Sequence, residues 1–334
     1  MFRIPAVGLA VLGGISVYPA IAIANKKPPP PELLSVVLVW DRGPHNAFTD
    51  LARLNNRWFL AFREGAAHVS PDGKIRVLSS VDGEVWSPWA ELSHPVADLR
   101  DPKLAVTPDR RLMLTAAGAM HPPSDARHKT FVWFSTEGRD WTPVQMIGEP
   151  DLWLWRVTWY QRKAYGMGYS TDGKESFVRP YFSPNGRDFQ PLADAALREG
   201  SPNETSILFA NDDTALCLVR REAGTKTAML GRSRPPYRGW QWTDLGARIG
   251  GPHMIRLPDG RIVAAGRLYD GQQRTSLCWL DLETNSLVEF LKLPSSGDGS
   301  YPGLVWHDDQ LWVSYYSSHE GRTSIYLARV RIPF

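Results

Sequence analysis

The sequence predicts an all-β protein, a six-bladed β-propeller of four-stranded antiparallel blades. Three observations carry that prediction. First, a turn motif recurs: Ser80-x-Asp82-Gly83-x-x-Trp86, then Ser135-x-Glu137-Gly138-x-x-Trp141, then Ser183-x-Asn185-Gly186-x-x-Phe189. Its serines are 55 and 48 residues apart, the spacing of an array of similar small sheets. Second, apolar runs are broken by polar turns in six places: Asn55-Asn56, Pro108-Asp109, Gln161-Arg162, Asn211–Asp213, Pro258–Gly260 and His307–Asp309. Apolar runs separated in this way read as hairpins. Third, no long stretch has a helical period.

Taken in chain order, residues 1–24 read as a signal peptide. Arg3 supplies a basic start, an apolar stretch follows, and Ala22-Ile23-Ala24 fits a cleavage site. An uncleaved anchor is the alternative, because the apolar stretch nears bilayer-spanning length; either way the domain is expected to be exported. Residues 25–32 form a Pro-rich spacer. The run Leu34–Trp40 precedes the first full unit and is expected to pair with the last blade, closing the ring and removing exposed sheet edges. The next three units end strands at Ser80, Ser135 and Ser183. Ala228–Ser233, Ser276–Leu282 and Ser324–Val330 extend the series without the full motif. Within the motif the acidic or amide side chain suits bonding to turn N–H groups, and glycine suits the unusual backbone angle. The motif is therefore architectural.

Composition narrows the function. A chain of 334 residues with 14 Trp and 43% hydrophobic residues has ample material for a packed core. A net charge of +3 gives no sign of a nucleic-acid partner. No lasting membrane partner is expected, and a monomer is. No His/Cys cluster has zinc-ligand spacing, and no cofactor or metal is implied. Cys217 and Cys278 each lie in an apolar run; spacing leaves buried thiols and a disulfide both open.

In a propeller the inner strands line a central channel. Inner-strand starts read Asp50, then Arg100, Asp101 and Lys103, then Arg156, Glu204, His253 and Tyr301. Second-strand ends add Arg63, Glu64, Arg220, Arg267 and His319. Asp101, within Arg-Asp-Pro-Lys, reads as an ion-paired residue. Several arginines facing one funnel suit an anionic substrate, because a guanidinium grips carboxylates bidentately.

The turn motif and the six units together resemble the sialidase (neuraminidase) superfamily over about residues 33–334. That resemblance implies roles for individual positions. Tyr301, at the start of the sixth inner strand, stands where the family has its nucleophile. Glu204 stands where the family has its base. Arg220 and Arg267 stand where the family binds the substrate carboxylate, with Arg221 a rival for Arg220. The acid is expected in the first blade, as His68 or Asp50; Asp72, in a Pro-Asp-Gly turn, reads as structural. Arg63, Arg156, Arg100 and His253 complete the expected substrate-binding set. Two departures stand out. Phe48–Ala52 has no arginine where the family's first one belongs, and Ser314–Ser317 has no glutamate to hold it. The family's Phe-Arg-Ile-Pro string occurs here only at residues 2–5, inside the signal segment. The function expected is a sialidase-like hydrolase of an anionic glycan. Two alternatives are a uronate lyase using His253, Tyr301, Arg156 and Arg220, and a carbohydrate-binding propeller without catalysis.

Overall fold

The computed structural model describes residues 1–2 and 29–334. Apart from Met1 and Phe2, the segment read as a signal peptide lies outside the described residues, as does the spacer up to residue 28. The described chain forms six four-stranded antiparallel sheets and no helix. The inner strands of blades 1 to 6 are His45–Leu54, Ala97–Val106, Leu152–Tyr160, Pro202–Phe209, Ile249–Arg256 and Gly299–His307. Glu32–Trp40 forms the outer strand of blade 6, antiparallel to Ser324–Arg331, and closes the ring as expected.

Local chemistry explains the hairpins. Asn55-Asn56, Gln161-Arg162 and Asp308-Asp309 all take positive φ (49° and 60°, 46° and 62°, 48° and 55°), the backbone of two-residue turns whose twist matches the flanking strands. Six apolar clusters pack the blades against one another. At the closure, the Trp58 ring of blade 1 meets Trp312 of blade 6 with centroids 4.4 Å apart. Cys217 and Cys278 are buried free thiols.

The recurring turn is a blade lock. Ser80 Oγ accepts the Gly83 N–H at 2.8 Å, Asp82 Oδ1 accepts the N–H groups of Glu84 and Val85 at 2.8 and 3.0 Å, and Trp86 Nε1 donates to Gly83 O at 3.1 Å. Ser135 and Ser183 repeat the first bond, at 2.8 and 2.9 Å. Gly83 has φ +79°, and a Cβ there would lie 2.5 Å from Trp312 Cζ3 in blade 6. Gly83→Ala is therefore expected to destabilise the fold by about 2–4 kcal/mol, from backbone strain and overpacking combined. Thermal melting measures this, and an unchanged midpoint would remove the locking role.

One feature governs the channel. Every inner strand bulges at the same level, with two of its residues opposite one residue of the second strand. These pairs are residues 48–49, 101–102, 155–156, 203–204, 251–252 and 301–302. A bulge re-aims side chains. Phe48, Asp101, Gly251 and Tyr301 adopt φ of +62°, +48°, +59° and +48° to make theirs.

Candidate active site

The bulges of blades 4, 5 and 6 assemble one bonded cluster. Tyr301 Oη donates to Glu204 Oε1 at 2.5 Å. Arg220 Nη1, from the end of the second strand of blade 4, donates to Glu204 Oε2 at 2.7 Å and to Tyr301 Oη at 2.8 Å. Blade 5 contributes backbone only: Gly251 N–H donates to Glu204 Oε2 at 2.7 Å. Glycine is required there, because a Cβ would lie 2.4 Å from Tyr301 Cδ1 at a φ of +59°. The rings of Phe48 and Trp155, from the bulges of blades 1 and 3, pack against Tyr301 with centroids 5.5 and 5.7 Å away.

Electrostatics divide the pair. Burial works to raise the Glu204 carboxyl, but the Arg220 charge and the bonds from Arg220, Tyr301 and Gly251 outweigh it and hold Glu204 below the usual carboxylate range. Burial, and then the Glu204 charge, push the Tyr301 phenol well above its ordinary value. The cluster thus holds a neutral phenol whose proton already points at a carboxylate, the arrangement of an oxygen nucleophile beside its base.

The other expected residues fall into two groups. Arg267 and Arg100 stay beside the cluster. The Arg267 guanidinium lies over the Tyr301 ring at 5.5 Å and donates to Gly299 O and to Tyr316 Oη at 3.3 Å. The Arg100 guanidinium lies over the Phe48 ring at 5.2 Å. His68 reaches the rim, where its Nδ1 meets Asp298 Oδ2 at 2.8 Å; the same oxygen binds His45 Nε2 at 2.9 Å, and Tyr316 Oη donates to Asp298 Oδ1 at 3.0 Å. Burial opposes ionisation of Asp298, but the bonds from His45 and His68 hold its carboxyl well below the usual range.

The second group is withdrawn from the funnel. Asp50 is fully buried; its Oδ2 accepts the Leu104 N–H at 2.7 Å and Arg156 Nη1 at 2.9 Å. His253 Nδ1 accepts the Leu304 N–H at 3.1 Å, and burial, followed by the Arg156 and Lys103 charges, pushes its imidazole well below its ordinary value. Asp50 therefore staples blades together, and the readings of Asp50 as acid and of Arg156 as substrate ligand are corrected accordingly; His253 stays partly exposed, with its Nδ1 taken up by the bond to blade 6. Arg63 is corrected too. It is fully buried and gives its donors to Asp98, Ala67 and Ser70. Arg221 is likewise consumed, by Thr225, Thr227, Glu199 and Asp244, which leaves Arg220 as the cluster's arginine. Arg220 is also engaged beyond the cluster, since its Nε and Nη2 meet Glu222. Asp72 accepts the Ala66 N–H, as a turn aspartate does. Contrary to the ion pair expected for Asp101, none reaches it among the described residues; its Oδ1 is buried without a partner.

Sequence reasoning missed Phe48, Trp155, Glu222 and Asp298. The bulges aim the first two, and the motif interval carries no signal of a bulge. Glu222, two residues past Arg220, was within reach of the same strand-end reading.

No protein-family model matches the chain, and no curated protein matches it. Solved structures do. A protein of unknown function from Dyadobacter fermentans is 21% identical, with TM-score 0.81 over 91% of this chain and 100% of that one. The α-L-arabinanase of Penicillium chrysogenum complexed with arabinobiose is 13% identical, with TM-score 0.68 over 89% and 98%. The sialidase of Trypanosoma rangeli in complex with 2,3-difluorosialic acid, a covalent intermediate, is 10% identical, with TM-score 0.68 over 88% and 59%. At these identities the likeness shows a shared fold.

Proposed function

We propose that the protein is a glycoside hydrolase in which Tyr301 is the nucleophile and Glu204 its base, acting on a carboxylate-bearing glycan outside the cytoplasm. The observation that carries this reading is the 2.5 Å bond from Tyr301 Oη to Glu204 Oε1, with Arg220 donating to both partners. A phenol is a sensible nucleophile when the sugar beside the reacting carbon is itself an anion. A carboxylate nucleophile would be repelled there and a neutral tyrosine is not, which is why sialidases depart from the two-carboxylate rule. The T. rangeli complex, a covalent intermediate, supports the same chemistry on this fold. In the free protein Arg100 and Arg267 are the cations placed to meet the carboxylate, while Arg220 orients the pair. The basic start and apolar run at residues 1–24 support export.

A neutral sugar is the second reading, and one observation favours it. Arg220 already pairs with Glu204 and Glu222, and Arg267 lies 3.7 Å from Asp298, so both of these guanidiniums have carboxylate partners within the protein. The arabinanase with arabinobiose supports that reading on the side of fold. The lyase reading loses support because His253 and Arg156 are held in inter-blade bonds.

One panel separates the readings: methylumbelliferyl glycosides of N-acetylneuraminic acid, glucuronic acid and α-L-arabinofuranose, assayed with wild type and Glu204→Gln. Fluorophore release from an acidic sugar is expected, reduced by about 10²–10⁴-fold in Glu204→Gln. Release from the arabinofuranoside alone selects the neutral reading. An unsaturated, ultraviolet-absorbing product from uronate polymers would mark a lyase. Binding without cleavage would leave a carbohydrate-binding propeller.

A further inference from the structure

The bulges of alternate blades 2, 4 and 6 bring three ionisable groups to the funnel: Asp101, Glu204 and Tyr301. Glu204 and Tyr301 are bonded to each other, whereas Asp101 is bonded to nothing among the described residues. It is 4% exposed, sits on a backbone φ of +48°, and buries Oδ1 without a partner. Lys103 is in the same position. Its Nζ is buried without a hydrogen bond, 4.8 Å from the Trp155 ring centre and 5.9 Å from that of Tyr301. The other carboxyls around the funnel are engaged through at least one oxygen: Asp50 by Arg156 through Oδ2, its Oδ1 being buried without a partner, Glu204 by Arg220, Glu222 by Arg220 and Arg248, and Asp298 by His45, His68 and Tyr316. A buried, unbonded carboxyl on strained backbone costs stability, and such groups gather where chemistry needs them.

We infer that Asp101 is the group that protonates the departing glycosidic oxygen and afterwards takes a proton from the attacking water. The inference rests on the hydrolase reading above. In the first step Tyr301 Oη bonds to the anomeric carbon and gives its proton to Glu204. The carbon–oxygen bond to the leaving group breaks, and that oxygen takes the proton of Asp101. In the second step the water oxygen bonds to the anomeric carbon and its proton passes to the Asp101 carboxylate. The bond to Tyr301 breaks, and Glu204 returns the phenolic proton. One water is consumed and both carboxyls are restored.

The electrostatics agree. Burial pushes the Asp101 carboxyl up to about 6; Lys103 and Arg100 pull it down, Glu204 raises it further, and His68 lowers it slightly. Glu204 is held below its ordinary value, so in mildly acidic solution one carboxyl is protonated and the other ionised, the division that acid–base roles need. His68 is less well placed for this role. Its ring nitrogen is tied to Asp298, its side chain is 47% exposed, and the Phe48 ring packs against both it and Tyr301.

The test has two arms. Infrared difference spectroscopy of the free protein needs no substrate. It is expected to show a carboxylic-acid carbonyl band that disappears as pH rises through about 6. The band should be absent from Asp101→Asn and should shift to higher pH in Lys103→Met, which removes the largest opposing charge. No such band would overturn the inference whatever the substrate. In the second arm, on the sugar that wild type cleaves, Asp101→Asn should lose about 10²–10⁴-fold in kcat/KM with a methylumbelliferyl leaving group. The loss should be under about tenfold with dinitrophenyl, which departs without a proton. If His68→Ala shows that leaving-group pattern and Asp101→Asn does not, the inference is overturned. If the band is present but wild type cleaves no glycoside, it is the hydrolase reading that fails.

Discussion

Tyr301→Phe is expected to lower kcat by about 10⁴-fold, roughly 5 kcal/mol of transition-state stabilisation, while the protein folds as before. The substitution removes one oxygen and leaves the ring between Phe48 and Trp155. Glu204 loses one of its donors but keeps Arg220 and the Gly251 N–H, so it is not left as an unpaired buried charge. The Oη makes two bonds, to the Glu204 carboxylate and from the Arg220 guanidinium, so the structural cost is about 1.5–3 kcal/mol, or a few degrees in melting temperature for a chain of this size. In the proposed role the phenol acts only as the new bond forms, so kcat and kcat/KM should fall together. Steady-state kinetics on the cleaved methylumbelliferyl glycoside, with a thermal melt alongside, measure both effects. A variant that keeps more than about a tenth of wild-type kcat removes Tyr301 from the role of nucleophile.

The fold and the Glu204–Arg220–Tyr301 cluster were legible for the same reason. Each blade repeats its turns at a near-constant interval, so the starts and ends of strands are readable, and Glu204, Arg220, Tyr301 and Arg267 stand at such places. What was not legible is the bulge. Two residues opposite one change which side chain faces the funnel, and the alternation that would reveal it is interrupted at that point. Phe48 therefore enters the funnel while Asp50, two residues later, lies beneath it. Partners were the second gap. The Asp50–Arg156 bond joins residues 106 apart, and the Arg63–Asp98 bond joins residues 35 apart across two blades. A charged residue at a strand end looks the same in sequence whether it awaits a ligand or has already met its counter-ion.

Asp50→Ala tests that correction and is expected to cost about 3–5 kcal/mol of stability, because removing one member of a buried pair strands the other. Asp50 is fully buried and Arg156 is 6% exposed. Their 2.9 Å contact ties blade 1 to blade 3, and the same Asp50 oxygen takes the Leu104 N–H of blade 2. Without that oxygen the buried Leu104 amide lacks its acceptor and the buried Arg156 guanidinium keeps only a 3.5 Å contact to Pro302 O. Asp50→Leu combined with Arg156→Met should recover much of the loss, since an apolar pair of similar volume has no charge to desolvate. Chemical denaturation of the two single variants and the double variant gives the coupling directly. The kinetic outcome separates a staple from an acid. Arg156 Nη2 also reaches Pro302 O at 3.5 Å, directly behind Tyr301, so the double variant should lose no more than about tenfold in kcat through loosened positioning. It should also keep the wild-type dependence on leaving group. A proton donor removed from the site would do the opposite, costing little stability and making the rate follow the acidity of the departing alcohol.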